Sequence, residues 1–210
     1  MNFKSLFGLG EKRKKEIDND KLVEKLGFSE EVIDRIKEVA ATSLQPLEIS
    51  DLYNYDKKTT VGLSFLTLEE KAERLVVDLQ SHIKQLGYLA FINERNYKQG
   101  SKSKIGIIKG NDQFELLKIL QTNGDNYDIS NDDVILKLKQ WNNRYPFIII
   151  GADFDWVEAK FTVLPLDREI KSFAKEMYEF CPDVVDQGTG SIEELIEEMK
   201  ETNKLYLWWD

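Results

Sequence analysis

The run Phe147-Ile-Ile-Ile-Gly-Ala-Asp153 is followed closely by Glu158-Ala-Lys-Phe-Thr-Val-Leu164, and these two stretches decide the fold. The first run is strongly apolar, and the second is rich in aromatic and β-branched residues, so both predict β-strands. A parallel pair of strands needs a crossover of about a dozen residues or more, which the short interval does not provide. The two runs therefore predict an antiparallel hairpin.

Further elements are predicted on both sides of this hairpin. After it, the sequence indicates a helix between Pro165 and Pro182, a helix that begins at Ser191, and a last strand at Leu205–Trp209. Before it, the sequence indicates a helix capped by Ser130, preceded by helices and strands whose strand segments are Thr60–Phe65, Tyr88–Asn93 and Lys104–Lys109. This order predicts an α+β fold in which helices pack on a mostly antiparallel sheet, and two ferredoxin-like halves would fit it.

The first third of the chain predicts a separate arm. Residues 1–45 are interpreted as a tail followed by a pair of helices, and residues 60–210 as the α+β domain. The stretch Gln45–Lys58 between them is polar and is predicted to be an irregular boundary. Just after this boundary, Thr67 and Glu70 have the spacing of a capping box, which predicts the start of the next helix.

Charge and apolar runs narrow the class of protein. The net charge is −9 and the pI is about 4.9, so the surface repels a phosphate backbone and suits a basic partner. The apolar runs are far shorter than the roughly 20 residues that span a bilayer. The N-terminal stretch places apolar residues before basic ones, which is the reverse of a secretion signal. We expect a cytoplasmic protein with no nucleic-acid partner and no stable membrane association.

Cysteine and histidine chemistry is limited because the chain has one residue of each kind, Cys181 and His82. An intramolecular disulfide is excluded, and so are the usual cysteine-rich and histidine-rich zinc sites. Cys181 is predicted to lie at the end of a helix between Glu179 and Asp183, where negative charge raises the pKa of a thiol. We expect an unreactive, packed cysteine and no bound cofactor.

Two short elements of the last third carry a resemblance to a known family. They are Phe180-Cys-Pro-Asp183 and Trp208-Trp-Asp210, with Gly151-Ala-Asp-Phe-Asp-Trp156 ahead of them. In this combination the chain resembles the bacterial domain-of-unknown-function family numbered 4253, over about residues 114–210. The resemblance implies no established activity. The setting of the family in bacterial genomes suggests a cytoplasmic interaction role or a toxin-immunity role, by association alone.

The aromatic end of the chain provides the candidate binding residues. On a strand the side chains of Trp208 and Trp209 point to opposite faces, so one can fill the core while the other lies under a helix or at the surface. Tryptophan is enriched at binding hot spots, although both rings could also be buried. The candidate binding residues are Trp156, Cys181, Asp183, Trp208, Trp209 and Asp210.

Aspartates of the same region provide an alternative site. Asp153 and Asp155 are two residues apart, so on a continuous strand their carboxylates share a face. With Asp183 they could hold Mg²⁺ or Mn²⁺, which prefer oxygen ligands, and the bound water would be the nucleophile of a hydrolase. Aspartates near a turn also commonly cap their own backbone, and this is the simpler explanation.

The sequence is compatible with three kinds of function. The leading hypothesis is a non-enzymatic, cytoplasmic protein-interaction module, of the immunity type, because no nucleophile is activated and no complete metal motif is present. The alternative is the divalent-metal-dependent hydrolase. A third hypothesis is a scaffold subunit that docks through its N-terminal helical pair. The basic loop with Arg95, Lys98, Lys102 and Lys104 is expected to be a solvated hairpin loop.

Overall fold

The computed structural model describes residues 19–40, 42–51 and 54–210 of the chain. Most of the predicted N-terminal tail therefore lies outside the described residues. Within the described ranges, no helix combines the length and the apolar character that a membrane span requires.

The strands of the described residues form a single sheet of seven strands in the order β1-β2-β4-β3-β5-β6-β7. All neighbouring pairs are antiparallel except β3 and β5, which are parallel. The strands are β1 (Gln45–Asp51), β2 (Asn54–Leu68), β3 (Tyr88–Glu94), β4 (Lys102–Lys109), β5 (Phe147–Ala152), β6 (Trp156–Phe161) and β7 (Lys204–Trp208).

Seven α-helices are present in the part of the chain that the structure describes. They are α1 (Asn19–Leu26), α2 (Glu30–Val39), α3 (Glu69–Ile83), α4 (Gln113–Leu120), α5 (Asn131–Arg144), α6 (Asp167–Phe180) and α7 (Ile192–Thr202). Short 3-10 turns lie at Lys84–Leu86 and Asp125–Tyr127, and a π-helical segment, Val184–Thr189, joins α6 to α7.

The predicted fold class and the central hairpin are confirmed. Helices pack on a mostly antiparallel sheet, and β5 and β6 form the antiparallel hairpin, with Phe147 opposite Phe161. The two halves of the chain contribute four and three strands to this one sheet, and they meet at the parallel pair of β3 and β5.

The two faces of the sheet are covered by different helices. Apolar residues of α2 and α3 pack against one face of β2, β3, β4 and β5, and residues of α1 join them at its margin. Residues of α4 to α7 pack against the opposite face, where they meet apolar side chains of β3, β5, β6 and β7. The stripe Val32, Ile33 and Ile36 of α2 is therefore buried inside the fold. The scaffold hypothesis, in which the helical pair docks onto a larger assembly, stays a prediction.

The prediction of an irregular segment at Gln45–Lys58 is wrong. The segment forms β1 and the first part of β2, which pair along the edge of the sheet, with Leu47 opposite Gly62. An edge strand has solvent on one side and carries polar side chains there, so its sequence resembles a loop.

The predicted capping box at Thr67 and Glu70 is also wrong. Pairing of β2 with β4 continues as far as Leu68, and it places Thr67 opposite Ser103 as a buried strand residue. The helix consequently begins at Glu69 with Leu68 as its N-cap, which has no side-chain hydrogen bond to offer.

Candidate functional site

Trp209 follows β7 and faces the core. It is 3% exposed, and its ring meets the ring of Phe180 edge-on, with centroids 5.8 Å apart. Its Nε1 donates to the carbonyl oxygen of Phe180 at 3.4 Å. The same ring lies so close to Gly124 that a Cβ there would be 2.7 Å from its Cδ1 atom. Trp209 therefore joins the end of β7 to the end of α6 and to a neighbouring loop.

Cys181 adds a second connection between α6 and β7. Its side chain is fully buried, and its Sγ donates to the carbonyl oxygen of Trp208 at 3.0 Å. Burial raises the pKa of the Cys181 thiol to about 12, which outweighs the backbone hydrogen bonds that favour the thiolate. A thiol of this kind is protonated at neutral pH and is not a nucleophile. The structure thus agrees with the prediction of a packed, unreactive cysteine.

Asp183 provides a third connection, through a carboxylate that is 1% exposed. Its Oδ1 accepts hydrogen bonds from the hydroxyl of Tyr127 at 2.6 Å and from Nε2 of Gln187 at 2.7 Å, and its Oδ2 accepts one from the backbone N–H of Asp210 at 3.0 Å. Burial alone would raise the pKa of Asp183, but these hydrogen bonds lower it below its usual range. The ionised carboxylate of Asp183 therefore forms its hydrogen bonds with groups inside the fold.

The two sequence elements that carried the resemblance therefore contact each other. The contacts that join the element Phe180–Asp183 to the element Trp208–Asp210 are the Phe180–Trp209 ring contact and the hydrogen bonds from Cys181 to Trp208, from Trp209 to Phe180 and from Asp210 to Asp183. We call this set of contacts the packed side of β7. Three of the predicted binding residues, Cys181, Asp183 and Trp209, are internal and serve this contact.

The other two predicted binding tryptophans, Trp156 and Trp208, lie on β6 and β7 and are not part of the packed side of β7. Trp156 of β6 and Trp208 of β7 are directly opposite each other in the antiparallel register. Tyr206 lies between them, with its ring centroid 6.1 Å from that of Trp156 and 6.4 Å from that of Trp208. All three side chains are half-buried. We call these three residues the aromatic strip.

The aromatic strip occupies the part of the sheet that α1 to α3 leave uncovered. The apolar cluster under these helices reaches Trp156 only at its margin and includes no residue of β7. A cleft of about 460 Å³ lies over this part of the sheet and is lined by Tyr206 and Trp208, with Tyr97 and Glu198 on its walls. Tyr97 is 71% exposed. Tyr206 and Trp208 of the strip are therefore reached through this cleft, whereas Trp156 is not part of its lining.

A network of ion pairs lies beside the strip. Glu158 of β6 is buried, and its carboxylate accepts from Nε of Arg95 at 2.7 Å and from Nζ of Lys204 at 2.8 Å. The pairs continue to α3 through two of its acids, and the network consists of Arg95, Lys160 and Lys204 with Glu69, Glu73 and Glu158. The network contains three cations and three carboxylates, so it has no net charge.

The network corrects the expectation of a fully solvated basic loop. Burial alone would lower the pKa of Arg95, but the Glu158 and Glu69 carboxylates more than offset this and raise it. Arg95 is thus held inside the fold, while Lys98 and Lys102 of the same loop are exposed. Sequence reasoning could not select Arg95, because its partners lie on α3 and β6.

The aspartates of the alternative metal site are divided between two surroundings. Asp153 follows β5, and burial together with the charges of Asp155 and Glu94 raises its pKa to about 6. Asp183 is saturated by hydrogen bonds on the packed side of β7. Among the described residues, no group of three or more histidine, cysteine or acidic side chains is arranged to hold a metal ion. The metal-dependent hydrolase stays a prediction.

Tyr206 and Tyr97 were missed at the level of sequence, although one signal was available. Tyr206 and Trp208 are two residues apart on a predicted strand, so they share a face. Tyr97 has no such signal, because its position beside Tyr206 depends on how the loop after β3 folds back over β6 and β7.

Fold and site together define a single-sheet α+β protein with one aromatic, partly open face. The family model described as "Domain of unknown function (DUF4253)" matches residues 104–210, and the chain belongs to this family. The match contains the whole packed side of β7 and the aromatic strip. No curated protein and no solved structure matches the chain.

Proposed function

We propose that the chain is a non-enzymatic protein-interaction module that binds a basic partner on the aromatic strip. The observation that carries this proposal is the row of half-buried rings formed by Trp156, Tyr206 and Trp208, of which Tyr206 and Trp208 line an open cleft. Tryptophan and tyrosine supply large contact areas at a low cost in side-chain entropy, and they dominate the hot spots of interfaces.

Packing beneath the rings supports a binding role because it holds them in place before a partner arrives. Cζ3 of Trp156 would lie 2.8 Å from a Cβ atom at Gly151, and Cζ3 of Trp208 would lie 3.2 Å from one at Gly188. Because neither glycine has a side chain, the indoles can approach the backbone closely at these two positions. A preorganised surface loses less conformational entropy on binding than a mobile one.

Charges around the strip favour a basic partner. Asp155 precedes Trp156, Asp210 follows the tryptophan pair, and Glu198 lines the cleft, and all three are exposed. Lys98, next to Tyr97 in the chain, is an exposed cation that does not line the cleft. Since Arg95 and Lys204 are already paired with carboxylates, the acidic groups and the net charge of −9 set the field that a partner meets.

A toxin-neutralising immunity protein of the bacterial cytoplasm is the kind of module that we propose. Such a protein must recognise one partner tightly, and an acidic surface with aromatic anchors suits a basic toxin. The family setting supplies the association with toxin immunity, and the strip and its acidic border supply the physical support.

The test is a comparative capture from a lysate of the source organism. Wild type is compared with Trp208→Ala, and with Leu166→Ala as the matched control, because Leu166 is 54% exposed on another part of the molecule. We expect a stoichiometric basic protein that wild type and the control retain and that Trp208→Ala loses. With that partner purified, the Kd should rise about 30-fold or more for Trp208→Ala.

Two results would count against the proposal. One is a partner whose affinity is unchanged by Trp208→Ala and by Tyr206→Ala, because it would bind elsewhere. The other is the recovery of no stoichiometric partner together with a measurable catalytic turnover by the purified chain.

A further inference from the structure

A second cavity lies where the two halves of the sheet meet. β3 and β5 are parallel neighbours, but the chain leaves β3 toward β4 on one side and leaves β5 toward β6 on the other. Where the connections of two parallel strands diverge, a crevice opens at their carboxyl ends, and ligands commonly bind in such crevices. A cavity of about 320 Å³ is present there, lined by Asn93 and Glu94 from the end of β3 and by Asp153 after β5.

Asn93 is the feature of this cavity that the fold does not explain. It lies in a β-bulge, where the register of β3 against β4 shifts between Ile92 and Glu94. The residue is only 5% exposed, and within the described part of the chain its side-chain amide makes no hydrogen bond. Gln121, which also lines the cavity, has a buried side-chain oxygen, Oε1, that has no hydrogen-bond partner within the described residues. A buried amide without a partner is costly unless a ligand or solvent completes it.

Other groups that line the cavity define the chemistry of a ligand. Three carboxylates, those of Glu48, Glu94 and Asp153, stand against one ammonium group, that of Lys104, which pairs with Glu94 at 2.8 Å. The rest of the wall includes apolar side chains, those of Ile49, Leu120 and Phe154. The cavity therefore offers excess negative charge, hydrogen-bond acceptors and an apolar surface together, at the lower end of the volume range of small-molecule sites.

We infer that this cavity binds a small organic cation with a guanidinium group on a short apolar stem. The planar N–H donors of a guanidinium match a carboxylate in two parallel hydrogen bonds, which Asp153 can accept, and a further N–H can reach the amide oxygen of Asn93. The stem lies against Phe154 and Leu120. This site is separate from the aromatic strip and does not depend on the proposed protein partner.

The experiment compares n-butylguanidinium with n-butylurea, which has nearly the same shape but no charge. Binding is followed by ¹H–¹⁵N NMR, with the side-chain amide signals of Asn93 as the local reporter. We expect saturable binding of n-butylguanidinium in about the millimolar range for so small a probe. The neutral urea should bind about tenfold more weakly or worse, since a hydrogen bond to a charged group is lost.

Two variants test the position of the ligand. Asp153→Asn should weaken n-butylguanidinium at least about tenfold. Asp132→Asn should change it less than about twofold, because Asp132 is an exposed carboxylate in the first turn of α5 and does not line the cavity. Far-UV circular dichroism of both variants checks that the fold is retained.

Several outcomes would overturn the inference. Equal binding of the urea would remove the charge recognition. Equal losses in the two variants would mean nonspecific attraction to an acidic surface. Absence of saturation, unmoved Asn93 signals, or displacement of the probe by Mg²⁺ at equal concentration would each exclude an organic-cation site in this cavity.

Discussion

Trp208 and Trp209 are adjacent in the chain, and they meet opposite surroundings. Trp209 contacts Phe180 and Gly124 on the packed side of β7, where it is 3% exposed. Trp208 belongs to the aromatic strip and borders an open cleft. The alternation of a strand thus places one ring of the dipeptide in the core and the other beside a cleft. The contributions of the two rings to stability and to binding can therefore be tested separately.

The largest difference is expected when each indole is removed. Trp209→Ala should lower the free energy of unfolding by about 3–5 kcal/mol, because it opens a large cavity in the core. Trp208→Ala should lower it by about 1 kcal/mol or less, because that ring already contacts solvent. Urea denaturation followed by far-UV circular dichroism measures both values. Equal losses would mean that the strip is architectural as well.

The next largest difference in stability is expected between variants of Asp183, on the packed side of β7, and of Asp155, beside the aromatic strip. Asp183→Ala removes the acceptor of three hydrogen bonds and should cost about 2–3 kcal/mol, because hydrogen bonds to a charged group are strong and the donors are left partly buried. Asp155→Ala should change stability by less than about 0.5 kcal/mol, because within the described residues its carboxylate has no side-chain partner. The same denaturation experiment compares them, and a reversed order would contradict the assignment of sides.

A pair of glycines sharpens the comparison further. Gly124→Ala places a Cβ atom 2.7 Å from the buried ring of Trp209 and should cost about 1–3 kcal/mol by overpacking. Gly188→Ala places one 3.2 Å from Cζ3 of Trp208, which is a less close approach, so its cost should stay below about 1 kcal/mol. The thermal midpoints of the two variants test this, and a Gly188→Ala variant that is the less stable of the pair would contradict the expected order.

The smallest expected effect is the pH dependence that the Asp183 carboxylate gives to the stability of the fold. The folded-state pKa of Asp183 is below that of the unfolded chain, which is about 3.9, so the unfolded state binds more protons in this range. The stability that this carboxylate provides is present above about pH 4 and is lost as the pH falls through its folded-state pKa.

Comparison of two proteins isolates this contribution from the other acids. Between about pH 5 and pH 3, wild type should lose more stability than Asp183→Asn, which has no carboxylate to protonate at this position. Denaturation midpoints over this range measure the difference, and parallel pH profiles would show that Asp183 does not have a lowered pKa.

The C-terminal half of the fold could be predicted because its signals are local. Ser130 and Asp133 form the capping box that their spacing indicates, and Phe147–Ala152 is the apolar strand of the hairpin. Thr67 and Glu70 have the same spacing signal and fail, because pairing with β4 keeps Thr67 in a strand. Local patterns are reliable only where no distant strand competes for the same residues.

The candidate site could be predicted only in part, for a related reason. Alternation on a strand correctly separated the two tryptophans, whereas the raised pKa of the Cys181 thiol comes mainly from burial and not from the acidic helix end on which the prediction rested. The ion pairs of Arg95 join residues more than 25 positions apart in sequence. Asn93 is notable only because it lies at a β-bulge and lines a cavity. Neither feature leaves a pattern in the sequence.

The order of strands has a consequence for the boundaries of the family region. The matched residues 104–210 include most of β4 and all of β5, β6 and β7, but β3, which separates β4 from β5 in the sheet, lies before them. Cut out alone, this segment would leave a gap one strand wide in the middle of its own sheet. A segment that keeps this sheet continuous must therefore begin before residue 104 and include β3.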